Sequence, residues 1–159
     1  MPRAPPLRAG AFFLATLRGG CHKRILLKLI GGSAMAKSLG MLFGLVFLAV
    51  GILGFVPGVT NNEMLLGMFM VNPAHSIVHI VSGAIFLFAS MSGAGPARLW
   101  FQIFGVIYAV VAVLGFMNPN GMLLGMISNN PADTWLHVVL AVAMLAIGFL
   151  SPKQSAPAV

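Results

Sequence analysis

Acids are almost missing from this chain: Glu63 and Asp133 are its only two in 159 residues. Ordinary acid–base catalysis wants a positioned carboxylate pair or a carboxylate beside a histidine, so an enzyme of that type is not expected. Cysteine is nearly absent as well. Cys21 stands alone, which excludes an intramolecular disulfide and any CxxC chemistry. Arg18 interrupts the small apolar run that lipid attachment at Cys21 would require. Charge of either sign is scarce, at 7% of residues, against roughly 25% in soluble domains. A water-soluble globule is therefore excluded. The pI near 11 does not signal nucleic-acid binding, because the few basic residues are not interleaved with aromatics. No GxSxG, phosphate-binding loop or HExxH occurs, so the common catalytic motifs are missing too.

Apolar residues fill the space: 59% of the chain is hydrophobic and mean hydropathy is +1.00. Four stretches, 38–56, 73–91, 98–117 and 131–150, approach or reach the roughly 20 residues that cross a hydrocarbon core. The expected fold is an all-α membrane protein with four transmembrane helices. Lys37 and the basic residues before it precede the first stretch, Arg98 opens the third, and Lys153 follows the last. The two acids fall in the alternate connections. The positive-inside rule then places both termini in the cytoplasm.

Residues 1–34 read as a basic, proline- and glycine-rich extension, and 152–159 as a short tail. The run Ala11 to Leu17 is too short to span. No small-x-small cleavage site follows it. Translation starting at Met35, within MAKSLGMLFG, is the simplest expectation.

The membrane part, 35–151, repeats itself. VNPAHSIVH (71–79) returns as NNPADTWLH (129–137), each after an identical MLLGM. Residues 38–91 and 98–150 thus form two helix-pair units. An even number of spans per unit gives a parallel repeat about an axis along the membrane normal. Gly44, Gly51 and Gly54 match Gly105, Ala112 and Gly115, a small-residue face suited to close helix packing. MLLGMFM and MLLGMIS are expected to form one or two turns lying at the interface. Asn61-Asn62 and Asn118-Pro119-Asn120 would turn the chain into them.

In the repeated motif, Asn72 and Asn130 suit the N-cap, and Pro73 and Pro131 suit the first helical position. His75, His79, Gly83 and Leu87 share one helix face; Asp133, His137, Ala141 and Leu145 share the matching one. Ionisable groups at such depth face protein or water rather than lipid. Asp133 is one turn from His137, within reach of a tautomer-fixing hydrogen bond. Three roles for the histidines stay open. They can bond helices together. As a pair, His79 and His137 can ligate a haem iron, or copper together with Met64, Met68, Met70, Met117, Met122 and Met126. They can also line a small ion or proton path. Trp100, Tyr108 and Trp135 read as packing and interface aromatics.

GILGFVPG (51–58), LLGMFMVNPAHSIVHIVSG (65–83) and NNPADTWLH (129–137) resemble the bacterial membrane family catalogued as domain of unknown function 4383. The resemblance covers about residues 35–150. It implies a four-helix protein of the bacterial cytoplasmic membrane and no particular activity. The role that composition and motif favour is a non-enzymatic membrane scaffold or envelope protein. No cofactor is expected, with haem or a metal such as copper as the rival. The expected partner is the lipid bilayer, with room for a homo-oligomer and none for nucleic acid.

Overall fold

A computed structural model describes residues 34–152. The basic extension, apart from Ala34, and the tail from Lys153 onward lie outside the described residues. Four helices make up the framework: α1 (Ala34–Leu53), α2 (Pro73–Ser92), α3 (Ala94–Met117) and α4 (Pro131–Leu150). All four are long and apolar enough to cross a membrane. Among the described residues α1 packs most extensively on α2, and α3 on α4.

The helix starts follow the motif. Asn72 Oδ1 accepts from His75 N at 2.9 Å, and Asn130 Oδ1 from Asp133 N at 3.0 Å. Each cap precedes a proline whose missing N–H costs nothing there. The second start is a full capping box, because Asp133 Oδ2 accepts from Asn130 N at 3.0 Å. Two starts differ from the expected bounds. The first helix begins at Ala34 and stops at Leu53, and the third begins at Ala94. Thr60 Oγ1 donates to Leu53 O at 2.9 Å, which satisfies a terminal carbonyl and ends α1 before Val56. Gly93, at φ 133°, is the single residue between α2 and α3, a conformation that side-chain-bearing residues rarely adopt.

The small-residue face brings backbones together. A Cβ at Gly44 would stand 2.7 Å from Leu87 and 3.0 Å from the Gly83 carbonyl. At Gly105 it would stand 2.8 Å from the Leu145 side chain and 3.0 Å from its N. Gly51 meets Ile80 and Ser76 across the same seam, Gly54 meets Ser76 just past the end of α1, Gly115 meets Thr134, and Ala112 is buried. Such contacts replace the hydrophobic drive that lipid removes.

The connections at one end of the bundle are not interfacial helical turns but β-hairpins. β1 (Thr60–Asn61), β2 (Met64–Leu65) and β3 (Phe69–Met70) form one antiparallel sheet. β4 (Met122–Leu123) and β5 (Ile127–Ser128) form another. In each MLLGM the chain reverses at Leu-Gly, with positive φ at both residues: 54° and 68° at Leu66-Gly67, 52° and 71° at Leu124-Gly125. Met68 N donates to Leu65 O and Met126 N to Leu123 O, both at 3.1 Å. Positive φ at both central residues is the twist-matched geometry of tight hairpins. Asn62 and Glu63 also have positive φ and turn β1 into β2; Asn118 caps α3 and accepts from Gly121 N.

The core is a column of rings. Phe47, Phe86, Phe101, Phe104 and Tyr108 are buried with Ala141 and Met144. Phe86 lies 4.9 Å from both Phe101 and Phe104 by ring centroids, and Phe47 lies 5.6 Å from Tyr108. The column leads from the bundle centre toward the hairpin end, where it meets the histidines.

Candidate functional site

His75, His79 and His137 come together beneath the hairpins and are buried. His79 stacks on Phe47 at 5.5 Å and on His75 at 4.8 Å. His75 lies 5.9 Å from His137, whose ring meets Tyr108 edge-on at 5.3 Å. The two helix faces read from the sequence therefore converge on one cluster. Trp135, by contrast, is exposed and packs edge-on against Phe116 at 5.3 Å.

The hydrogen bonds are distributed unequally. His75 Nδ1 lies 3.1 Å from Met70 O and 3.0 Å from Ser128 O. Both partners are acceptors, so Nδ1 carries the proton and donates to both strands. The Nδ1 atoms of His79 and His137 are buried without a partner. The bond expected between Asp133 and His137 is replaced. Asp133 Oδ2 accepts instead from Met70 N at 2.9 Å and from Asn130 N. A strand N–H and a helix-start N–H, both otherwise orphaned, outcompete a ring one turn below. Asp133 thus joins α4 to the first hairpin, and Oδ1 has no hydrogen-bond partner among the described residues.

The cap asparagines do more than cap. Asn72 Nδ2 donates to Met126 O at 2.7 Å, and Asn130 Nδ2 donates to Met68 O at 2.9 Å. Each amide uses its oxygen on its own helix and its nitrogen on the tip of the other hairpin. The two halves are cross-tied reciprocally. Aspartate could cap equally well, but it has no N–H to give.

Sequence reasoning missed several participants. Ser128 Oγ donates to Met70 O at 3.4 Å. Fully buried Asn129 donates to Thr134 Oγ1 at 3.1 Å and to Asn118 O at 3.3 Å. The doubled asparagine of NNP was the available signal. The carbonyls of Met70, in β3, and Met126, at a hairpin tip, leave no trace in residue type.

Two clefts flank the cluster. The first, about 310 Å³, lies between α1 and α4 under the first hairpin. The second, about 100 Å³, lies between α2 and α3 under the second hairpin. They are built from matched positions. Val46, Phe47 and Leu140 line the first where Ile107, Tyr108 and Ser82 line the second. Asp133 faces the first and His75 the second, while His79 borders both. Among the described residues no group of three or more His, Cys, Asp or Glu side chains is arranged to hold a metal ion.

Four apolar membrane-length helices capped by short hairpins, with outward faces carrying residues such as Leu45, Phe88, Val110 and Val139 exposed, define a multi-pass integral membrane protein. Residues 37–150 match the family described as domain of unknown function (DUF4383). The chain belongs to that family. No curated protein and no solved structure matches the chain significantly.

Proposed function

We propose that this protein is a non-enzymatic scaffold of the bacterial cytoplasmic membrane, with both termini inside and the hairpin end outside. Its structural unit, in this reading, is a helix pair with its hairpin, used twice in the same orientation about an axis along the membrane normal. The reciprocal Asn72 and Asn130 amide exchange carries the proposal, because it gives the conspicuous motif a structural task. The orientation is supported by Lys37 and Arg98 at helix starts opposite the hairpins, with Glu63 and Asp133 at the hairpin end.

The histidine cluster is read as glue between helices. Its rings are spent on packing against Phe47, Tyr108 and one another, and His75 fastens both hairpins. Replacing His79 and His137 together by alanine removes two buried rings. The expected outcome is a lower melting temperature in detergent, by a stability loss of about 2–4 kcal/mol. An unaltered melting temperature would refute the structural role. The same purified protein is to be tested by visible spectroscopy and metal assay. A Soret band or one equivalent of bound metal would replace the scaffold with a cofactor protein.

A further inference from the structure

The larger cleft has the features of a ligand site rather than a packing fault. Its volume of about 310 Å³ is at the lower end of the roughly 300–1,000 Å³ typical of small-molecule sites. Its walls along α1 and α4 are largely apolar, with Leu42, Val46 and Leu136 partly open to the surroundings of the bundle. Polar groups gather at one end. Asp133 and His79 are both more than nine-tenths buried and both line the cleft. Among the described residues Oδ1 of Asp133 has no hydrogen-bond partner, and Nδ1 of His79 is buried without one.

Among the described residues no fixed cation faces Asp133. The sequence holds no lysine or arginine between Lys37 and Arg98, nor between Arg98 and Lys153. No lysine or arginine of the membrane-spanning part therefore belongs to the hairpin end, and the imidazole nearest the acid, His75, spends its Nδ1 proton on Met70 O and Ser128 O. A buried carboxylate without a cation is costly. The missing partner must bring positive charge, several N–H donors and an apolar body. From Asp133 to Leu140 the cleft follows α4 for about 10 Å at 1.5 Å per residue, deep enough for part of one acyl chain.

We infer that the cleft between α1 and α4 binds a bilayer lipid with a primary-ammonium head, its N–H groups directed to Asp133 and its acyl chain laid against Val46 and Leu140. A primary ammonium offers three donors, whereas a quaternary one offers none. The matched cleft between α2 and α3 is not equipped for this lipid. It is smaller, and His75, which stands there in place of the acid, commits its Nδ1 to strand carbonyls.

The test is native mass spectrometry of the full chain released from detergent doped with dioleoyl phosphatidylethanolamine, phosphatidylcholine or phosphatidylglycerol at equal mole fraction. Retention of the ethanolamine lipid should exceed that of the choline lipid by about tenfold, the loss expected for a charge-assisted hydrogen bond. Asp133→Asn should abolish that preference. Because Asp133 also ties β3 to α4, Val46→Trp is the second variant; it fills the cleft without touching a polar group and should remove retention of the ethanolamine lipid. Ile107→Trp, at the matched position of the other cleft, should leave retention unchanged. Free phosphoethanolamine, the head without chains, should not compete at equal concentration. Equal retention of the three lipids, undiminished retention by Val46→Trp, or displacement by the free head group would each overturn the assignment.

Discussion

The first half of the molecule, α1 through α2, and the second, α3 through α4, share a frame and differ in what they hold. Both have an Asn-Pro helix start, a Leu-Gly hairpin tip with positive φ, and a glycine seam between their helices. The first has an extra strand, His75 at the third helical position, Ser76 with an unpaired hydroxyl, and Phe47 in the ring column. The second has Asp133, Thr134 bonded to Asn129, and Tyr108 at those places. Where the halves agree, backbone demands fix the residue. Where they differ, the acid of the second half holds two backbone N–H groups and the histidine of the first holds two carbonyls.

Substitutions sort the shared features from the divergent ones. The largest effect is expected where the halves agree most closely. Gly44→Val and Gly105→Val each drive a side chain into a neighbouring helix, Leu87 in one case and Leu145 in the other. Each should cost about 3 kcal/mol or more, read as loss of folded protein in detergent. A mild effect at one site and a severe one at the other would break the equivalence of the two seams.

The third helical position comes next and should separate the halves. Asp133→Ala leaves the N–H groups of Met70 and Asn130 unpaired and should cost about 2–3 kcal/mol in chemical denaturation. His75→Ala frees two carbonyls, which tolerate it better, and should cost about 1–2 kcal/mol. The reverse order would mean that the histidine, not the acid, is the main tie between the hairpins. The smallest contrast lies one residue further on. Thr134→Ala strips a partner from buried Asn129 and should lower stability by about 1 kcal/mol. Ser76→Ala removes a hydroxyl that has no partner and should leave the melting temperature within about 1 °C.

Much of the frame was legible from residue types. Apolar run length set four spans, and Asn-Pro announced both helix starts, with the start of α4 at Pro131 and that of α2 at Pro73. The shared face of His75 and His79 follows from helical spacing alone. The hairpins were not legible because their tips are Leu-Gly: Leu66 and Leu124 adopt the left-handed region that Asn or Gly would ordinarily signal. The partner of Asp133 was not legible either. Its competitors are backbone N–H groups, and one of them, Met70 N, is 63 residues away. Contacts to main chain across that distance have no signature in composition or spacing. The clefts belong to the same class, since they arise from which helices fail to close on one another.

The reciprocal amide tie is the centre of the account, and Asn72→Asp tests it most directly. Aspartate retains the capping oxygen and adds a charge that suits a helix start. If capping were the whole role, thermal unfolding in detergent would show an unchanged or higher stability. Loss of the 2.7 Å bond to Met126 O instead predicts a decrease of about 1–3 kcal/mol. Asn130→Asp should fall less, because its bond to Met68 O is exposed, and the double substitution should fall further than either. A neutral or stabilising Asn72→Asp would contradict the cross-tied architecture.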